Sequence, residues 1–143
     1  MGQSIVSEIY RLFPTRESCL RFIEEIRWSH KPRCPHCGAD RVSELPRESR
    51  YHCNSCNTSF SVTVNTLFHN TRIPLQKWFL AIDIFSRTER KISVRKLAEI
   101  LDVNKNTAWA MSTKLKKAFN EYSVLFSELA EYGNKFLHER VEV

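Results

Sequence analysis

Residues 34–56 read CPHCGADRVSELPRESRYHCNSC: two Cys-x-x-Cys pairs separated by fifteen residues. Zinc favours four thiolate or imidazole ligands in a tetrahedron, and a two-residue spacing folds each pair into a tight knuckle whose backbone N–H groups face the sulfurs. The separation falls in the window of a four-cysteine site and is long enough for a hairpin with a knuckle at each end. Cys34, Cys37, Cys53 and Cys56 are therefore the expected ligands of one structural Zn2+, the core of a zinc ribbon. Pro35 and Gly38 suit the first knuckle, and Asn54 and Asn57 take the equivalent places in the second. Two redox pairs or an iron–sulfur site would need a context that is missing. His36 and His52 flank ligands, but four cysteines already complete the shell. The fifth cysteine, Cys19, sits on an apolar stripe and reads as core.

Around this centre the chain has the length of one ordinary domain or two very small ones, at 143 residues. No apolar run approaches the roughly 20 residues of a membrane span, and no secretory segment is evident, so a cytoplasmic protein is expected. Paired cysteines in that reducing setting favour metal over disulfides.

The stretch TRESCLRFIEEIRW, residues 15–28, carries apolar residues at helical spacing with Thr15 as N-cap. After the second knuckle, Phe60, Val62 and Val64 alternate with polar residues, the pattern of one or two short strands. Pro74 opens a second helix whose apolar face includes Leu75, Trp78, Phe79, Ile82 and Phe85. Two more helices follow, at about 93–101 and 105–119, capped by Ser93 and Asn104. Residues 120–143 read as an acidic helix that breaks near Gly133 and ends in VEV, the start of a strand. The fold class is thus mainly α with a small β zinc ribbon. Residues 1–70 hold an N-terminal helix and the ribbon, 71–120 a helical region, and 121–143 an acidic tail or linker.

The formal charge of +6 is concentrated: residues 87–117 hold nine Lys/Arg against three acids, whereas 120–143 carry a net −3. Such a block suits a polyanion, whose condensed counterions are released on contact, or else is a solvated helix face. The link Asp102-Val103-Asn104 has the length of a helix-turn-helix turn, with Ala98 small enough for a close crossing above Leu97, Leu101 and Val103. In that arrangement Lys105, Asn106 and Thr107 lie nearest the bases of double-stranded DNA. Arg95, Lys96, Lys114, Lys116 and Lys117 then contact phosphates. Trp109 and Met111 are ambiguous between core and DNA-facing positions, an aromatic on such a helix being more often core. Arg33, Arg41, Arg47 and Arg50 of the ribbon either touch DNA or belong to a solvated surface, with the ribbon bracing the fold.

Taken together, ESCLRFIEEIRW, CPHCG, YHCNSC with SFSV and TLF, IPLQKWFLAI and ISVRKLAEILDVNKNTAWAM resemble the N-terminal zinc-ribbon and helix-turn-helix region of bacterial insertion-sequence transposases of the DDE type. The resemblance covers about residues 10–119 in order and spacing. It implies binding to the terminal inverted repeats of a mobile element. Two positions depart from the pattern, since Asn65 and Asp102 stand where Gly is usual; both residue types tolerate a left-handed backbone. In such transposases a strand resembling HERVEV leads into the first catalytic aspartate, and the sequence stops at Val143. The three aspartates, Asp40, Asp83 and Asp102, are scattered over ribbon, helix and turn, so no two-metal carboxylate cluster is expected and the chain should not cut or join DNA. It reads as a fragment or truncated relative that binds DNA. A stand-alone transcriptional regulator and a protein–protein adaptor are the rival readings, with the tail as a docking or oligomerisation element.

Overall fold

The computed structural model describes residues 8–118 except 30 and 90. The acidic tail and its closing strand lie outside the described residues. The chain divides into two compact units, one formed by Thr15–Arg72 and the other by the chain on either side of it.

In the first unit, helix α1 (Arg16–Trp28) starts at a reciprocal cap. The Ser18 N–H donates to Thr15 Oγ1 at 3.1 Å, and the Thr15 N–H donates to Ser18 Oγ at 3.2 Å, which satisfies two donors that a helix start leaves free. The apolar stripe buries Cys19, Leu20, Phe22 and Ile23. Beyond it come β1 (Val42–Leu45), a 3₁₀ turn at Pro46–Glu48, β2 (Arg50–Cys53) and β3 (Ser59–Phe60). They form one antiparallel sheet in the order β1-β2-β3, with Val42 opposite Cys53, Leu45 opposite Arg50 and Tyr51 opposite Phe60.

Alternation along β2 buries Tyr51 and Cys53 and leaves Arg50 and His52 half-buried. The core beneath the sheet is small: Cys34, Tyr51, Cys53 and Phe60, with Trp28, Ala39, Val42 and Val64 packed against it. Trp28 meets Tyr51 edge-on at 5.4 Å and Phe60 at 5.9 Å, while Tyr51 stacks on Phe60 at 5.8 Å. Both edge-on contacts have the geometry that aromatic quadrupoles prefer.

The period-two run is cut short. β3 ends at Phe60, and residues 62–65 form a turn with Asn65 at φ +61°. Two sets of hydrogen bonds compete with a longer strand, one local and one from α1. The Ser61 and Thr63 hydroxyls bond each other at 2.7 Å, and Thr66 Oγ1 donates to the Thr63 carbonyl at 2.6 Å. From α1, Arg27 Nη1 donates to the carbonyls of Val62 at 2.6 Å and Val64 at 2.7 Å, occupying acceptors that a sheet ladder would use.

In the second unit, residues 8–12 are helical and are followed by α2 (Leu75–Arg87), α3 (Val94–Leu101) and α4 (Lys105–Ala118). Pro74 is the N-cap of α2 and the helix begins one residue later. Every residue from Trp78 to Phe85 is buried, so α2 is the centre of this unit, apolar almost all round. Phe13 packs edge-on against Phe79 at 4.9 Å, and α2 packs against both α3 and α4. Its one buried carboxylate, Asp83, accepts from Arg87 Nε at 3.0 Å one turn on.

Candidate functional site

The two knuckles are built alike. The Gly38 N–H donates to the Cys34 carbonyl at 2.8 Å and the Cys34 N–H to the Ala39 carbonyl at 2.9 Å. In the second, the Asn57 N–H donates to the Cys53 carbonyl at 2.9 Å and the Cys53 N–H to the Thr58 carbonyl at 2.9 Å. Gly38 and Asn57 both adopt positive φ, which closes each turn.

This pairing brings the four sulfurs within 4.8 Å of one another. Cys34 and Cys56 lie 3.6 Å apart, as do Cys37 and Cys53, so the shortest separations run between knuckles. Zinc at about 2.3 Å from four sulfurs would set them about 3.8 Å apart. The donor set therefore fits one tetrahedral ion. Among the described residues, no other group of three or more Cys, His, Asp or Glu side chains comes close enough to hold a metal.

Backbone N–H groups are aimed at the sulfurs: that of His36 lies 3.4 Å from Cys34 Sγ and that of Cys56 3.4 Å from Cys53 Sγ. The N–H groups of Cys56 and Ser55 pull the Cys53 thiol down, while the proton it shares with Cys37 raises that partner, so the first thiolate forms at Cys53. A thiolate is what the metal requires. Such a closed four-sulfur shell leaves no position for water or substrate, so the ion would brace structure rather than act as a Lewis acid. Cys34 and Cys53 are buried, whereas Cys37 and Cys56 are exposed.

His52 is engaged by other side chains and is not part of the four-sulfur cluster. Its Nε2 lies 3.0 Å from Asn57 Oδ1 and its Nδ1 3.4 Å from Ser59 Oγ, which ties β2 to the second knuckle. Asn54 ties that knuckle to β1, its amide donating to Ser43 Oγ at 2.9 Å. Cys19 lies fully buried in α1, and burial pushes its thiol up to about 12, an inert core cysteine. Glu24 and Tyr51 line one cavity together with Trp28 and Glu44. Burial, with Glu44 nearby, raises Glu24 above the usual carboxylate range, and burial with the same two acids pushes the Tyr51 phenol up.

In the helical unit, α3 and α4 meet through a tight left-handed turn. Asp102 adopts φ +55°, the Asp102 N–H donates to the Glu99 carbonyl at 3.3 Å and the Val103 N–H reaches the Ala98 carbonyl at 3.1 Å. This is a Schellman closure. From α2, Lys77 Nζ donates to the Asp102 carbonyl at 3.0 Å. Ser93 Oγ caps α3 through the Lys96 N–H at 3.1 Å, and Asn104 Oδ1 caps α4 through the Thr107 N–H at 2.7 Å. Ala98, Leu97 and Leu101 are buried below the crossing, and Val103 is half-buried.

Helix α4 buries Ala108, Met111, Ser112, Leu115 and Ala118. It exposes Lys105, Asn106, Trp109, Ala110, Thr113, Lys114, Lys116 and Lys117. Its four lysines face no carboxylate within the helix. Thr107 is half-buried at the edge of this face. Arg95 and Lys96 are exposed on α3, where Lys96 Nζ pairs with Glu99 at 3.8 Å. In the ribbon, Arg33, Arg41 and Arg47 are exposed and Arg50 is half-buried. Trp109 departs from the core position commoner for an aromatic: it is 62% exposed, while Met111 is fully buried. The core of α4 repeats at 108, 111, 112 and 115, and residue 109 falls outside that stripe. A wheel drawn on that stripe is the signal that finds it. No sequence signal marked Lys77 or Arg27, whose acceptors are backbone carbonyls remote in sequence.

Residues 14–59 match the family model described as a transposase zinc-ribbon domain. The chain is also similar to an uncharacterized protein in transposable element ISH50 of Halobacterium salinarum, 26% identical over 113 residues. That alignment covers 77% of this chain and 38% of the relative, so the chain spans well under half of the curated relative's length. No solved structure matches the chain. Among the described residues no helix is long and apolar enough to cross a membrane. Cysteine spacing, knuckle geometry and the family match thus agree on a transposase-type zinc ribbon over residues 14–59.

Proposed function

We propose that this chain is the sequence-specific, double-stranded DNA-binding module of a transposase-like protein and that it recognises the terminal inverted repeats of a mobile element. The observation that carries the reading is α4: four lysines and no acid, with an outward face that begins just after a three-residue turn. A helix so placed enters the major groove by its first residues, which assigns base contacts to Lys105, Asn106 and Thr107. Phosphate contacts fall to Arg95, Lys96, Lys114, Lys116 and Lys117. Asn106 is fully presented for a bidentate contact to adenine, while half-buried Thr107 reaches a base edge only at the rim. In this reading residues 71–120 read DNA, the ion holds the ribbon within 1–70 together and residues 121–143 act as a linker. No catalytic step is assigned to this chain, since the family match covers the ribbon alone.

The test is capture of fragmented genomic DNA by the zinc-loaded protein at moderate salt, followed by sequencing. Enrichment at the ends of a mobile element supports the reading. Enrichment at promoters away from such ends supports a stand-alone regulator instead. If nothing rises above salt-sensitive background, specific DNA binding is refuted and a protein–protein adaptor takes its place. Replacing Asn106 and Thr107 should abolish sequence preference and leave nonspecific retention intact.

A further inference from the structure

We propose that Trp109 is a base-contacting residue, its indole packed against thymine methyl groups in the major groove. The proposal rests on the DNA-binding reading of α4 and adds a specificity determinant to it.

Among the described residues, the large hydrophobic side chains left exposed are Tyr10, at 39%, and Trp109, at 62%. Trp109 is also the fully presented one of the three tryptophans, since Trp78 is buried and Trp28 packs into the ribbon core. Its neighbours at helical spacing are Lys105 and Asn106 one turn before and Thr113 one turn after, with exposed Ala110 beside it. The Thr113 hydroxyl is engaged by the Trp109 carbonyl at 2.9 Å, so this side chain adds a methyl rather than a free hydroxyl to the surface. The indole and the Thr113 methyl thus share a face of α4 that also carries Lys105, Lys116 and Lys117.

That face selects the occupant. Its lysines, with no carboxylate in the helix, oppose a second copy of the same face and complement a polyanion. Within a duplex, the apolar group that the major groove offers is the C5-methyl of thymine. The indole stands one turn along α4 from Asn106, so both side chains address one stretch of base edges.

The test uses the zinc-loaded full chain as wild type, W109A and W109F. Each is first used to select duplexes from a random-sequence pool. The wild-type duplex is then remade with uracil at each thymine in turn, which removes only the methyl group. For wild type, uracil at one or two positions should weaken binding on the order of five- to tenfold. W109A should bind the parent duplex more weakly by a similar factor and show no uracil penalty there, with W109F in between. Retention of random duplex at low salt should not change, and equal melting temperatures would show that an exposed side chain was removed without damage to the fold. If W109A selects the same sequence and keeps the uracil penalty, the role of Trp109 is refuted while the DNA-binding reading stands. If wild type selects no sequence at all, both fall together.

Discussion

Gly38 and Asn57 hold equivalent places, one residue past the second cysteine of their knuckles, with φ of +78° and +61°. One is free of any steric demand, since a Cβ on Gly38 would meet nothing within 4 Å. The other offsets its backbone cost through His52. Gly38→Ala should therefore destabilise the metal-bound ribbon by about 1–2 kcal/mol, through backbone strain alone. Asn57→Gly should be nearly neutral, within about 0.5 kcal/mol, because relief of strain is matched by loss of the His52 contact. Competition with a zinc chelator measures both. A Gly38→Ala protein as resistant as wild type would show that the left-handed turn is dispensable.

Removal of the metal should unfold one unit and spare the other. Structural zinc contributes on the order of 10 kcal/mol or more in small zinc-finger peptides, far beyond what the ribbon's small core supplies. Amide hydrogen exchange under chelator should show protection lost across β1, β2 and β3 and retained in α2, α3 and α4. Simultaneous loss in the helices would mean that the two units unfold as one.

Asp102 sits where a glycine would be unstrained. Asp102→Gly should raise the stability of the helical unit by about 0.5–1 kcal/mol, and Asp102→Val should lower it by a larger amount. Lys77 bonds the backbone carbonyl, so its contribution survives either change. Lys77→Met should cost about 0.5–1 kcal/mol. Thermal melting of the zinc-loaded protein reads all three, and equal stability of the Gly and Val variants would contradict the turn geometry.

Glu24 gives the ribbon unit a pH dependence. Its folded pKa lies above the ordinary 4.5, first through burial and then through Glu44, with the Tyr51 hydroxyl opposing. The folded state thus holds this proton to higher pH than the unfolded chain. Stability is lost as pH rises from about 4.5 through the raised value. Glu24→Gln should remove that loss, by a few tenths of a kcal/mol because the half-buried residue is still screened by solvent. The stability difference between variant and wild type, taken in excess zinc, should grow in favour of Gln from pH 4.5 to 7. A flat difference would show that the carboxylate is not penalised.

The metal centre was legible because cysteine spacing is a covalent constraint: thiolates two residues apart have few ways to face one ion. Helix caps at Thr15, Ser93 and Asn104 were legible for a similar reason, since a cap acts over three residues. What the sequence concealed depends on distant acceptors. The alternation at Phe60, Val62 and Val64 suggested a longer strand, yet Arg27, thirty-five residues before Val62, takes the carbonyls that such a strand would need. Trp109 was read by residue type, when its angular position on α4 decides its exposure. The departures at Asn65 and Asp102 were read correctly, as both adopt positive φ.

Two of the four residues in the ribbon's hydrophobic core, Cys34 and Cys53, are also metal ligands. Half of that interior is therefore shared with the ion's ligands, and the rest is the Trp28, Tyr51 and Phe60 aromatic cluster. The ribbon's unfolding free energy should rise with the logarithm of free zinc, by about 1.4 kcal/mol per tenfold rise once zinc exceeds its dissociation constant.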